Sequence, residues 1–126
     1  MGLELTGPLL IDAELLVQEL RSGRAPVIVD VRTKDEFCAG HIPGARLFPI
    51  HQLVARTCEL ATHHADSIVV VSHEGMRAKI AAGVLSLAGF AEVAVLDGGI
   101  QRWRDLAYPL EDTSASWSDR LGGSAR

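Results

Sequence analysis

Cysteine is scarce in this 126-residue chain, which has only Cys38 and Cys58. Two cysteines do not make a disulfide framework, and such sparse use is typical of a reducing compartment, so we expect a cytoplasmic location. Adjacent His63 and His64 have no cysteine or histidine around them at metal-ligand spacing. The sequence therefore predicts no disulfide scaffold, no metal site and no cofactor.

Long hydrophobic runs and long blocks of one charge are also missing. The apolar stretches are too short to span a bilayer, and the amino terminus lacks the basic region of a secretory signal. Gly2 and Thr6 match a myristoylation motif, but no basic cluster beside them supplies a second membrane signal. With a net charge of −4 and no basic block, we expect binding neither to nucleic acid nor to membranes.

What the chain does contain is an alternation of buried-strand and amphipathic-helix patterns. This order predicts one α/β domain over residues 1–110, built around a mainly parallel sheet. Residues 111–126 are polar and rich in Ser and Gly, which predicts a flexible tail. The predicted strands cover 9–11, 27–31, 47–48, 68–71 and 93–96, and the predicted helices cover 13–22, a short piece after Thr33, 50–61, a segment from Arg77 to Gly89, and one around Trp103.

Three local patterns refine the helices. Thr33 and Glu36 have the spacing of a capping box. Trp103 and Phe37 are interpreted as core anchors. Helical periodicity predicts which residues face the core on the two longest helices: Ile50, Leu53, Val54 and Cys58 on one, and Ile80, Ala81, Val84, Leu85 and Ala88 on the other.

The stretch from Ile68 to Ala78 is the strongest candidate for a functional site. A buried strand runs through a short polar loop into a helix, which directs backbone N–H groups and the positive end of the helix dipole into one concavity. Such a loop suits an anion or an ionised nucleophile, and Ser72 stands at its base. The candidate loop residues are Ser72, His73, Glu74, Gly75, Met76 and Arg77.

Asp30 and Arg32 follow the second strand, at the sheet edge where ligands bind in parallel α/β folds. We expect them to brace this edge, with Arg32 a candidate for the rim of a pocket. From its position alone, Arg77 is a helix-start arginine that pairs with Glu74 or Asp30. Glu74 would weaken anion binding if it pointed inward and would change little if it pointed outward.

Four segments, in order, carry a resemblance to a known family. They are VIVDVR at 27–32, EFCAGHIPGA at 36–45, SHEGMR at 72–77, and LDGGIQRW at 96–103 followed by YPLE at 108–111. The second matches the pattern E-F/Y-x-x-G-H-I-P-G-A at every position. Together they resemble the small, single-domain rhodanese-like sulfurtransferase family. That resemblance implies a three-layer α/β/α sandwich around a five-stranded sheet.

The resemblance also implies a reaction. In the family, a loop reading C-x-x-G-x-R holds a cysteine that takes sulfur from a donor such as thiosulfate and passes the persulfide sulfur to cyanide, a thiol or a protein. Here Gly75 and Arg77 match this loop, but Ser72 stands at the position of the cysteine. The resemblance implies a second role for Arg77, which stays open beside the pairing: it donates to a bound oxyanion. Four residues separate Ser72 from Arg77, which resembles the sulfur-transfer loop rather than the loop of related arsenate reductases and phosphatases, longer by one residue.

Serine changes the expected chemistry. A cysteine thiol with a pKa near 8.5 ionises readily in such a loop, whereas a serine hydroxyl is a far weaker acid and cannot form the sulfur–sulfur bond of a persulfide. Three explanations stay open. The protein is a pseudo-enzyme that binds a sulfur-containing anion or a protein sulfur carrier; or it is an active sulfurtransferase with an engineered cysteine-to-serine change; or Ser72 is a nucleophile with other chemistry. We expect neither Cys38 nor Cys58 to replace the missing thiol.

Overall fold

A five-stranded sheet lies at the centre of the computed structural model, which describes residues 9–112. Every pair of neighbouring strands is parallel, and the strand order is β1-β5-β4-β2-β3. β4 is therefore the central strand, flanked by β5 and β2. The strands are β1 (Leu9–Ile11), β2 (Val27–Asp30), β3 (Arg46–Leu47), β4 (Ser67–Val71) and β5 (Glu92–Leu96).

Helical crossovers connect these strands, as parallel pairing requires. Each face of the sheet has its own apolar cluster, because successive side chains of β4 point to opposite faces. Residues of α3 and α4 belong to the cluster on one face, and residues of α1 and α5 to the other, so the predicted α/β/α sandwich is confirmed. The helices are α1 (Ala13–Arg21), α2 (Lys34–Ala39), α3 (Ile50–Arg56), α4 (Met76–Leu87) and α5 (Gly99–Asp105).

The element boundaries differ from the sequence predictions by only a few residues. β3 begins one residue earlier than predicted, and α4 begins at Met76 rather than at Arg77. The largest difference is in the helix predicted over 50–61. Its α-helical part ends at Arg56, and a 3₁₀ helix continues over Thr57–His63.

The predicted inner faces of α3 and α4 are partly wrong. Ile80 is 58% exposed and Val54 is 71% exposed, whereas both were expected to face the core; Ala88 and Cys58 are exposed as well. On α4 the buried positions are Ala78, Ala81, Ala82 and Leu85. Alanines let a helix approach a sheet closely, and hydropathy alone does not distinguish this face from the neighbouring one that contains Ile80. Cys58 does not face the core, because the 3₁₀ helix has fewer residues per turn than the α-helix on which the prediction was based.

The predicted capping box at Thr33 and Glu36 is confirmed. The Thr33 hydroxyl accepts a hydrogen bond from the Glu36 amide at 3.2 Å, and the Glu36 carboxylate accepts one from the Thr33 amide at 2.9 Å. Gly23 follows α1 with a φ of +79°, as a helix-terminating glycine should. Asp12 occupies the N-cap position of α1, but its side chain makes no capping hydrogen bond.

The carboxyl-terminal part of the described chain closes over α5. Trp103 is fully buried, as predicted for a core anchor, and its indole N–H donates to the Pro109 carbonyl at 2.8 Å. Phe37 is only half-buried and stacks on His41 at 3.8 Å, so it is not the core anchor that was expected. Glu111 exchanges backbone hydrogen bonds with His41.

Two further sequence predictions concern residues at the ends of the chain. Of the tail predicted over 111–126, residues 113–126 lie outside the described residues, and so does the Gly2–Thr6 motif. Between residues 9 and 112, no helix is long and apolar enough to cross a bilayer.

Candidate functional site

The candidate site is the loop of residues 72–77, which joins the carboxyl end of β4 to α4. Because β4 is the central strand, this 72–77 loop emerges in the middle of the sheet edge. Gly75 has a φ of +121°, and a Cβ built there would meet nothing within 4 Å. The loop therefore needs glycine at this position for backbone conformation and not for space.

Ser72 lies at the base of the loop and is only 1% exposed. Its hydroxyl oxygen accepts hydrogen bonds from the Gly75 amide at 3.0 Å and from the Ala78 amide at 3.2 Å. The side chain thus satisfies two donors at the start of α4, as a helix-capping serine does. The same two amides would stabilise a negative charge on any atom placed at this position.

Several other amides of the loop have no hydrogen-bond acceptor in the described part of the chain. The backbone N–H groups of Glu74, Met76 and Arg77 donate to no other residue between Leu9 and Asp112. They lie at the start of α4, a 12-residue helix whose dipole places partial positive charge at this end. Unused amides and a helix amino terminus together make the loop suitable for binding an anion.

The start of α5 supports the loop from below. The amides of Ile100 and Gln101 donate to the carbonyl oxygens of Ser72 and His73, each at 3.0 Å. Gly99 has a φ of +57°, and a Cβ on it would overlap both carbonyl oxygens. The sequence did not predict this role of α5. The Gly98–Gly99 pair indicates a special backbone conformation, but its contact with the loop is tertiary and no local pattern predicts it.

Arg77 is paired with Glu36, a partner that sequence analysis did not foresee. Its two terminal nitrogens donate to the two carboxylate oxygens of Glu36 at 2.8 and 3.0 Å. This pair lowers the pKa of Glu36 to about 2 and raises the pKa of Arg77 above its ordinary value. The predicted alternatives, Glu74 and Asp30, are not its hydrogen-bond partners, so that expectation was wrong.

Glu36 joins two parts of the site. Its Oε1 atom accepts from the Thr33 amide, within the capping box, and also from Arg77. The capping-box spacing correctly predicted the local bond. No sequence signal predicted the second bond, because Glu36 and Arg77 are 41 positions apart in the sequence.

Asp30 and Arg32 form a buried ion pair beside the loop. The guanidinium of Arg32 donates to Asp30 through Nε at 3.0 Å and Nη2 at 2.8 Å. Arg32 also donates to the carbonyl oxygens of Glu36 at 3.3 Å and Gly40 at 2.8 Å. With exposures of 0% and 2%, these two residues brace the sheet edge, and neither offers a side chain to a solvent-facing pocket rim.

The remaining loop side chains differ in their exposure to solvent. His73 is half-buried, whereas Glu74 is exposed and Met76 is 71% exposed. The Glu74 carboxylate is therefore in solvent, where it is expected to change anion binding little.

The two cysteines lie on other elements. Cys38 is half-buried on α2, and Cys58 is exposed on the 3₁₀ helix; both are free thiols. Neither belongs to the 72–77 loop. Over residues 9–112, no three side chains of His, Cys, Asp or Glu are grouped so that they could hold a metal ion.

Two cavities lie at the opposite edge of the sheet. One, of about 290 Å³, is lined by residues that include Arg24, Pro26 and Asp66. The other, of about 330 Å³, is lined by the amino ends of β1, β4 and β5. Neither includes a residue of the 72–77 loop, and neither has the converging amides that make the loop a chemical site, so we place the candidate site at the loop.

Known proteins resemble this chain in sequence. The family model for the rhodanese-like domain matches residues 12–106. The chain is 40% identical over 101 residues to a thiosulfate sulfurtransferase, GlpE, of Ectopseudomonas mendocina, and the match covers 79% of this chain and 87% of the relative. A GlpE of Pseudomonas putida is 41% identical over 93 residues, covering 74% and 82%.

Solved structures show the same fold. The crystal structure of the Alr3790 protein from Anabaena superposes with a TM-score of 0.75 at 30% identity, covering 88% of this chain and 99% of that one. A thiosulfate sulfurtransferase from Pseudomonas aeruginosa gives a TM-score of 0.74 at 33% identity; the match covers 84% of this chain but 20% of that larger one.

Proposed function

Since the chain belongs to the rhodanese-like domain family, we propose that its 72–77 loop is a sulfur-transfer site in which Ser72 takes the place of the nucleophilic cysteine. In this proposal the protein binds a small sulfur-containing anion, such as thiosulfate, or the persulfide end of a protein sulfur carrier. It does not transfer the sulfur, because no thiol stands at the base of the loop.

The observation that carries this proposal is the position of the Ser72 oxygen. It accepts hydrogen bonds from the amides of Gly75 and Ala78 at the buried start of α4. A thiolate at the same position would be stabilised by the same two hydrogen bonds. An oxygen atom there keeps the loop closed and its base hydrogen-bonded. It cannot carry sulfur as a stable, releasable product, so the chemistry stops at binding.

Three features support binding of an anion rather than an empty structural loop. The amides of Glu74, Met76 and Arg77 remain available within the described part of the chain. The Glu74 carboxylate is exposed, so it does not occupy the loop. Relatives at about 40% identity bear the name thiosulfate sulfurtransferase, which makes thiosulfate the first ligand to test.

A second function is favoured by the same loop geometry. Amides that converge on a buried side-chain atom suit a cysteine thiolate at least as well as a serine hydroxyl. If position 72 is a cysteine in the natural protein, the chain is an active sulfurtransferase whose nucleophile has been replaced. Its two free cysteines support a cytoplasmic, reducing location for either function.

With a cysteine at this position, atoms and electrons balance in both steps of sulfur transfer. The thiolate attacks the outer sulfur of thiosulfate, a sulfur–sulfur bond to the protein forms, and sulfite leaves with the electron pair of the broken bond. Cyanide then attacks the outer sulfur, thiocyanate leaves, and the thiolate is regenerated. Nothing besides the loop, the donor and the acceptor is required.

The experiment compares the Ser72 protein with Ser72→Cys. We expect the Ser72 protein to bind thiosulfate in a calorimetric or NMR titration and to produce no thiocyanate from thiosulfate and cyanide. We expect Ser72→Cys to turn over and to gain the mass of one sulfur atom when it is exposed to thiosulfate alone. Ser86→Cys, which puts a thiol on the exposed face of the same helix, is the control and should stay inactive.

Each outcome decides between the functions. Thiocyanate production by the Ser72 protein, or sulfur on any of its side chains, would refute the binding-only proposal. Failure of Ser72→Cys to turn over would mean that the loop is no longer a sulfur-transfer site. Absence of thiosulfate binding by the Ser72 protein would refute the anion-binding role.

A further inference from the structure

Glu36 and Arg77 form a pair at the mouth of the candidate site that the sulfur-transfer chemistry does not require. Both oxygens of the carboxylate are engaged by both terminal nitrogens of the guanidinium, at 2.8 and 3.0 Å. The two side chains are each about one-third exposed, at 33% and 32%. The pair therefore lies where an incoming ligand would meet it and is not part of the sealed core.

Glu36 is held in place independently of Arg77. Its Oε1 atom accepts from the Thr33 amide at 2.9 Å, and its own amide donates to the Thr33 hydroxyl at 3.2 Å. Its carbonyl oxygen accepts from the buried Arg32 side chain at 3.3 Å. Because these bonds already fix the carboxylate, Arg77 loses side-chain entropy but Glu36 loses little more when the pair forms.

We propose that Glu36 determines the charge selectivity of the 72–77 loop by holding Arg77 in a neutral pair, so that an anion is selected through backbone amides and not through the arginine cation. This inference rests on the proposed function, since it concerns the same loop. It makes Glu36 a positioning residue, which acts on the ligand through Arg77.

The charges around the loop support this interpretation. A carboxylate with a pKa of about 2 is ionised throughout the physiological pH range, so the pair stays neutral and is not a pH switch. The other charged side chain of the loop, Glu74, is exposed and negative. The positive contribution that remains at the loop comes from the amides and the dipole of α4.

A double-mutant cycle in the Ser72 protein tests the proposal, with thiosulfate as the probe. Glu36→Gln leaves Arg77 as an unpaired cation, and we expect thiosulfate to bind about two- to fivefold more tightly at low salt. Arg77→Gln leaves an unpaired carboxylate, and we expect binding to weaken by a similar factor. The double variant is neutral again and should bind within about twofold of the starting protein.

Glutamine is chosen because its carbonyl oxygen can still accept from the Thr33 amide and so keeps the capping box. Glu59→Gln is the matched control. Glu59, on the 3₁₀ helix and outside the loop, also accepts two hydrogen bonds from one arginine, from Nε and Nη2 of Arg56 at 2.8 and 2.9 Å. Its removal should change thiosulfate affinity less than Glu36→Gln does.

The opposite pattern would overturn the inference. If Glu36→Gln, Arg77→Gln and the double variant all weaken binding equally, Arg77 is itself an anion ligand that Glu36 merely orients. If none of the three changes the affinity of a protein that does bind thiosulfate, the pair has no influence on the ligand. Either result refutes control of charge selectivity by Glu36.

A second readout separates this inference from the proposed function. In the Ser72→Cys background, the pH dependence of iodoacetamide alkylation reports the pKa of the introduced thiol without any anion. We expect Glu36→Gln to lower that pKa by about half a unit, Arg77→Gln to raise it, and the double change to restore it. If thiosulfate fails to bind but these shifts occur, the anion-binding function is wrong while the role of Glu36 stands; if they are absent, the inference fails.

Discussion

Gly99 lies directly against the backbone of Ser72, so that a single methyl group on Gly99 would overlap the Ser72 carbonyl oxygen. The same carbonyl accepts the Ile100 amide at 3.0 Å. The first turn of α5 and the base of the 72–77 loop therefore form one packed unit. The shape of the loop therefore depends on a residue that follows Ser72 by 27 positions.

This contact predicts that Gly99→Ala is strongly destabilising. The added Cβ meets backbone atoms, including the His73 carbonyl carbon at 2.7 Å, and the φ of +57° is unfavourable for alanine. We expect a loss of about 1–3 kcal/mol in the free energy of unfolding, measured by urea denaturation. Gly83→Ala is the control: a Cβ at this position in α4 meets nothing within 4 Å, so stability should rise by about 0.5–1 kcal/mol. Equal effects of the two substitutions would contradict the packing described.

Ser72→Ala removes the acceptor that two buried amides share. Gly75 and Ala78 would lose their hydrogen bonds to the Ser72 oxygen, so we expect a loss of about 1–2 kcal/mol in the free energy of unfolding. Ser86→Ala on the exposed side of α4 should change stability by less than about 0.5 kcal/mol. A neutral Ser72→Ala would show that the serine does not cap the helix.

The Glu36–Arg77 pair predicts a specific acid sensitivity. The pKa of Glu36 is lowered from 4.5 to about 2, chiefly by its hydrogen bonds with Arg77. Because a depressed carboxyl pKa stabilises the folded state above the unfolded pKa, this contribution is complete above about pH 5 and is lost as the pH falls from 4.5 towards 2. Unfolding of the protein and of Glu36→Gln should therefore be measured from pH 7 to pH 2.

We expect the stability difference between the two proteins to be largest at neutral pH and to shrink steadily below pH 4.5. Glu59→Gln should give a smaller pH-dependent difference, since the Glu59 side chain is more exposed than that of Glu36, at 44% against 33%, and exposed ion pairs contribute little. A difference for Glu36→Gln that is constant over the whole pH range would contradict the lowered pKa.

Asp30→Asn tests the brace at the carboxyl end of β2. It would leave the Arg32 guanidinium, which is 2% exposed, without a charged partner, and breaking a buried pair in this way typically costs about 3–5 kcal/mol. Chemical denaturation at neutral pH measures the loss. Asp66→Asn, which removes the exposed partner of His63, should cost less than about 1 kcal/mol. Similar losses for both would show that Asp30 and Arg32 act as a surface pair.

Sequence patterns predicted most of the fold because the relevant interactions are local. The buried strand before Ser72 needs only consecutive β-branched residues, and the capping box at Thr33 needs only a spacing of three. The failures at Ile80 and Val54 have the opposite origin: which stripe of a helix is buried depends on the elements that pack on it. α4 turns its alanines to the sheet, and periodicity alone did not favour that stripe over the neighbouring one.

In the candidate site, too, local features were predictable from the sequence and tertiary contacts were not. The amino-acid sequence by itself determined that a strand, a polar loop and a helix follow one another at Ser72, and that a hydroxyl and not a thiol stands there. Only the tertiary structure decided that Glu36 holds Arg77 and that Gly99 supports the loop, because these contacts join residues 41 and 27 positions apart. A local sequence pattern reflects the conformational preferences of neighbouring residues. The partner of a side chain across the sheet edge depends instead on how the whole chain packs.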